Sequence, residues 1–79
     1  MDVGEKIREI LSVELQIDKE RVIPDARLRA DLGMDSIAAL NILFAAQVEF
    51  EIESIDETEI ARLVTVADAE HLIRRYMAT

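Results

Sequence analysis

The sequence predicts a small all-α domain: an antiparallel four-helix bundle with a long loop between helices one and two and a short third helix. Three observations carry that expectation. Apolar residues recur at helical spacing in several segments, residues suited to helix capping stand before them, and no alternating run is long enough for a strand. With 79 residues, 51% of them hydrophobic, the chain suits one domain over 1–79 and is too short for a second.

Val3, Ile7, Ile10, Leu11 and Leu15 lie on one stripe and define the first helix. From Ile17 to Asp35 no helical period persists, and Pro24 pushes Ile23 toward extended backbone. A loop of that length needs anchoring, which Val22, Ile23, Leu28 and Leu32 are placed to supply. Gly33 permits a tight or left-handed turn, and Asp35-Ser36 opens the second helix. Its expected buried stripe is Ile37, Leu40, Leu43, Phe44 and Phe50, with part of the set Ala38, Asn41, Ile42, Ala45 and Val48 facing outward. Asp56 or Ser54 caps a short third helix containing Ile60 and Leu63. Thr65 with Asp68 forms a capping pair for the fourth, whose buried stripe is Val66, Ala69, Leu72, Ile73 and Tyr76.

Composition narrows the chemistry. No cysteine is present and His71 is the single histidine, which excludes disulfides, thiolate metal sites, thiol catalysis and imidazole clusters. A calcium loop fails on spacing, because Gly4 and Gly33 are the two glycines and neither closes a D-x-[DN]-x-[DN]-G run. Composition thus disfavours most enzyme chemistries, and no metal site is expected. The net charge of −8 disfavours nucleic acid and anionic membranes and favours basic protein surfaces. That charge is concentrated: eight acids and no base lie between Arg29 and Arg62. The start has no apolar signal region and the longest unbroken apolar run is Ile42 to Ala46, so a monomeric cytoplasmic protein without membrane insertion is expected.

Ser36, in Asp-Leu-Gly-Met-Asp-Ser-Ile, falls in the first turn of the second helix. Unpaired N–H groups and the positive end of the helix dipole would stabilise a phosphate esterified to its hydroxyl. Asp-Ser before an apolar run is equally the ordinary signature of a helix cap, so the residues by themselves leave both readings open.

Residues 31 to 37 resemble the attachment motif of acyl carrier proteins. The frame agrees: a helix precedes the motif, Val22 to Asp31 resembles the family's anchored loop, Phe50 closes the second helix, and Thr65-Val66 resembles the start of the last. The resemblance implies a carrier without catalytic activity. A phosphopantetheinyl transferase would move 4′-phosphopantetheine from coenzyme A to Ser36. The arm's thiol would then hold acyl thioesters for acyl-loading, condensing or acyl-transfer enzymes of fatty acid, polyketide or related biosynthesis. Gly33 matches the family's turn glycine, and Asp35 matches the acid that helps place the transferase's metal ion. Leu40, Phe44, Ile60 and Leu63 are candidates to line an acyl cavity, or are plain core. Biotinyl and lipoyl carriers do not fit, since Lys6 and Lys19 lie in helical or loop context rather than on a hairpin.

The second helix departs from the acidic pattern of fatty-acid-synthase carriers, because residues 36 to 48 contain no charge. Docking candidates are therefore Ala38, Asn41, Ile42, Ala45 and Val48, followed by Glu49, Glu51 and Glu53. These differences favour a specialised carrier over a housekeeping one. The rival reading is an acidic helical interaction module without a prosthetic group.

Overall fold

The computed structural model describes residues 2–78, and its four α-helices follow the predicted order. Helix α1 spans Val3–Leu15; its cap, Asp2, accepts from the Gly4 N–H at 2.9 Å, and Gln16 ends it in the left-handed region at φ 55°. Helix α2 spans Ser36–Glu49 and is capped by Asp35. The short α3, Glu57–Ala61, is capped by Asp56 rather than Ser54. Helix α4, Val66–Met77, begins with the predicted capping box: Thr65 Oγ1 accepts from Asp68 N at 3.2 Å, and Asp68 Oδ2 accepts from Thr65 N at 3.0 Å. Among the described residues there is no strand, only an isolated bridge between Arg27 and Thr65. No helix among them is long and apolar enough to cross a membrane.

The loop between α1 and α2 is held by backbone and side chain together. One 3-10 turn, Lys19–Arg21, sits against α1, where Arg8 Nε donates to the Val22 carbonyl at 3.0 Å and Nη2 to the Lys19 carbonyl at 3.1 Å. Farther along, three bonds stitch the loop to the start of α4. They run from Leu28 N to Val64 O (2.8 Å), Val66 N to Ala26 O (3.0 Å) and Ala67 N to Pro24 O (3.0 Å). Val22, Ala26, Leu28, Leu32 and Met34 are buried beneath these bonds. Full burial of a side chain such as Leu28 contributes roughly 1.5–3 kcal/mol, enough to offset ordering of the surrounding backbone in part. Ile23, expected among the anchors, is 52% exposed. Val22 has φ −88° and ψ 81°, and the Ile23 N–H donates back to the Arg21 carbonyl at 3.1 Å; this tight turn points Val22 inward and leaves Ile23 to face water.

Helix α2 is turned relative to the expected register. Its buried side is Ala39, Ile42, Leu43 and Ala46, whereas Ile37 (73%), Leu40 (40%), Phe44 (54%) and Val48 (80%) are exposed. The cause is helix approach. Ala39 and Ala46, seven residues apart and flanking Ile42 and Leu43, let the backbone come close to its neighbours, where a side bearing Ile37 and Phe44 would hold it away. Phe50 closes the helix and is buried as expected. In the other helices the predicted stripes hold: Ile7, Leu11, Ile60, Val66, Ala69, Leu72 and Ile73 are core, and Val3, Ile10, Leu15, Leu63 and Tyr76 pack against it. Every buried residue among those described is apolar.

Candidate functional site

Ser36 is the first residue of α2 and is exposed. Its position is set from both sides. Behind it, Asp35 Oδ1 accepts from Ala38 N at 2.8 Å and the Asp35 carbonyl accepts from Ala39 N at 2.9 Å, fixing the first turn. Before it, the chain folds through Met34 N to Leu28 O (2.9 Å) and Gly33 N to Arg29 O (3.2 Å). Gly33 has φ 76°, and nothing lies within 4 Å of where its Cβ would stand, so backbone conformation and not crowding favours glycine there. Asp31 accepts from the Arg27 N–H at 2.8 Å and from Arg27 Nε at 3.4 Å; these two bonds hold its carboxyl below the usual range.

A groove of about 200 Å³ opens beside Ser36 between Leu40 and Leu43 of α2 and Ile60 and Ala61 of α3, with Arg29 of the loop also lining it. Deeper, a small apolar void of about 20 Å³ lies among residues of α1, α2 and α4, with Ile42, Ile60 and Leu63 on its wall. Ile60 lines both spaces and separates the groove from the interior. Of the four predicted cavity residues, Leu40 and Ile60 thus share the groove with Ser36, and Leu63 borders the void. Phe44 lines neither, because the turn of α2 places it outward.

The predicted docking set also divides. Ile42 is buried and offers no outer surface, Ala38 and Ala45 are half-buried, and Asn41 and Val48 are exposed. Glu49, Glu51 and Glu53 are exposed, with Glu49 paired to Lys6 of α1 at 3.6 Å. What the sequence reading missed is the outer stripe Ile37, Leu40, Phe44 and Val48, which runs from the neighbour of Ser36 to the far end of α2. At about 100° per residue these four positions fall within roughly 80° of one another. The alanine spacing at 39 and 46 was the available signal for it. Also missed was Gln47, whose Oε1 accepts from Ile55 N at 2.9 Å and fixes the connection into α3.

Comparison with known proteins agrees with this geometry. A family model for the phosphopantetheine attachment site matches residues 5–73. An acyl carrier protein from Desulforapulum autotrophicum is 38% identical over 76 residues, covering 95% of this chain and 97% of that protein. Acyl carrier proteins from Thermosynechococcus vestitus (34%; 98% of this chain and 94% of the relative) and Solidesulfovibrio magneticus (36%; 95% of each) are similar over the same extent. Proteins of this kind are carriers rather than enzymes and hold 4′-phosphopantetheine covalently. A chain that matches the attachment-site model over nearly its whole length, and curated carriers end to end, belongs to the acyl carrier protein family.

Proposed function

We propose that this chain carries acyl groups as thioesters on a 4′-phosphopantetheine arm joined to Ser36, and presents them to acyl-loading, condensing or acyl-transfer enzymes. The observation that carries this reading is the exposed Ser36 hydroxyl in the first turn of a capped helix, beside an apolar groove. The residues fit the group. No hydrogen bond to another described residue engages the N–H of Ser36 or Ile37, the helix dipole favours a phosphodiester, and the adjacent Asp35 carboxylate is turned to Ala38 N.

Loading by a phosphopantetheinyl transferase forms the Ser36 Oγ–P bond and breaks the pyrophosphate of coenzyme A. The hydroxyl proton is lost and adenosine bisphosphate leaves. The arm then supplies the thiol that this cysteine-free chain lacks. Asp35 is read as helping to position the transferase's metal ion through the carboxylate oxygen that does not cap Ala38 N, and Gly33 as shaping the turn that presents Ser36. Leu40, Ile60 and Leu63 are the candidates to accept the cargo's apolar chain.

Partners are read to dock along Ile37, Leu40, Phe44 and Val48, with Asn41 beside them and Glu49, Glu51 and Glu53 at the end. Charge-free docking on α2 supports service to a dedicated set of enzymes, in fatty acid, polyketide or related biosynthesis, over a housekeeping role. Intact-mass analysis after incubation with coenzyme A and a broad-specificity transferase tests the attachment. One phosphopantetheine unit on the wild type and none on a folded Ser36→Ala is expected. Addition at Ser12 or Ser54, or none with several competent transferases, would return the chain to the interaction-module reading.

A further inference from the structure

We infer that Arg29 holds the phosphate of the attached arm, its guanidinium pairing with the phosphodiester on Ser36. The inference rests on the attachment reading given above.

Arg29 and Ser36 line the same groove although seven positions separate them. The reversal that brings them together is built from Asp31 N to Arg27 O (2.9 Å), Leu32 N to Arg27 O (3.1 Å) and Gly33 N to Arg29 O (3.2 Å), with the positive φ of Gly33 completing it.

The side chain of Arg29 makes no ion pair or hydrogen bond with another described residue, in a chain holding 17 acids. Its neighbours explain why. Asp31 is committed to Arg27, Asp35 caps α2, and Glu57, which also lines the groove, lies beyond ion-pair distance.

Charge gives this cation a task. No base follows Arg29 until Arg62, while eight acids do. A phosphodiester on Ser36 adds one more negative charge to that region, and Arg29 is the cation lining the groove beside it. A guanidinium presents a planar fork of donors that matches two phosphate oxygens, and the open N–H groups of Ser36 and Ile37 approach from the helix side. An ammonium on the same backbone would supply charge without the fork, so lysine should restore part of the effect.

The test uses the modified full-length chain as wild type, Arg29→Ala and Arg29→Lys, with each modification checked by intact mass. Phosphorus NMR reads the diester, and proton–nitrogen spectra read the Arg29 Nε–H before and after modification. Modification of the wild type should shift the Arg29 Nε–H resonance. Arg29→Ala should move the phosphorus resonance toward that of free phosphopantetheine, Arg29→Lys should leave it between the two, and added salt should move the wild type in the same direction as the alanine variant. Identical phosphorus resonances in mass-verified wild type and Arg29→Ala, or an Nε–H unchanged on modification, overturn the inference while leaving the attachment reading standing. A wild type that gains no mass at Ser36 overturns both.

Discussion

The hydroxyl of Tyr76 on α4 donates to Glu59 Oε1 on α3 at 2.7 Å and accepts from the backbone N–H of Asp56 at 3.0 Å. Arg75 Nη2 donates to the other Glu59 oxygen at 2.6 Å. The hydrogen bond from Tyr76, with that from Arg75 second, holds the Glu59 carboxyl below its usual range. A helix of five residues cannot sustain itself in water, so α3 depends on this tie and on burial of Ile60. Because α3 forms one wall of the groove beside Ser36, the tie also sets the groove's width.

Tyr76→Phe removes the donor and the acceptor while keeping the ring. The thermal midpoint should fall by about a few degrees. Amide exchange at Ile60 and Leu63 should accelerate more than exchange at Leu11. Uniform acceleration across the chain would mean that α3 is not the element held.

The register of α2 makes opposite predictions for two neighbours. Ile42→Ala, within the core, should cost about 2–4 kcal/mol in urea unfolding, whereas Phe44→Ala should cost less than about 1. Equal losses would place the helix in the orientation its sequence first suggests.

At Gly33 a side chain meets no atom but must adopt φ 76°. Gly33→Ala should destabilise by about 1 kcal/mol, and Gly33→Asn by less, since asparagine tolerates the left-handed region. Both variants should slow modification of Ser36. Denaturation midpoints combined with single-turnover modification rates would check this, and an alanine variant as stable as the wild type would refute it.

Stability should form a plateau in pH. Glu5, Asp31, Asp56, Glu59 and Asp68 are all lowered in the folded state, chiefly by hydrogen bonds from Lys19, Arg27, Thr58, Tyr76 and Thr65 respectively. A lowered carboxylate stabilises the fold above its unfolded value, near pH 4, and that contribution is lost as pH falls through the lower folded value. Lys19 is raised, chiefly by its hydrogen bond to Glu5. Tyr76 is raised as well: the Asp56 N–H acts to lower it, but the Glu59 bond, desolvation and nearby carboxylates outweigh this. Both contributions are present below about pH 10 and lost above it. Urea midpoints measured across the range should stay level from about pH 5 to 9 and fall on either side. A midpoint that rises on acidification below pH 4 would show that relief of repulsion among the acids dominates instead.

If partners seat on the outer stripe of α2, Val48→Glu should weaken a cognate enzyme by about 1 kcal/mol or more and leave unfolding within about 0.5 kcal/mol of the wild type. Affinity should change little across a salt series. A steep loss with salt and indifference at Val48 would move recognition to Glu49, Glu51 and Glu53.

Much of this was legible in the residues. Stripes at helical spacing marked α1 and α4 because those helices have one apolar side, and Asp35, Asp56 and Thr65 marked the starts that they cap. The membership in a carrier family was readable as well, from the pattern of residues 31 to 37. The orientation of α2 was not, since a helix apolar on nearly every side does not announce which side is buried, and two small residues decided it through close approach. The Glu59–Tyr76 tie, the stitching of residues 24–28 to 64–67 and the lack of an ion-pair partner for Arg29 among the described residues depend on distances between segments far apart in sequence. Local pattern does not record these.

That stitching has a consequence for synthesis of the chain. The backbone around Pro24, Ala26 and Leu28 finds its partners at Val64, Val66 and Ala67. A growing polypeptide therefore cannot secure the segment that leads into Ser36 until the beginning of α4 has left the ribosome. The setting of Ser36 is complete only once residues 64–67 are available, and a fragment ending before residue 64 would hold the serine without it.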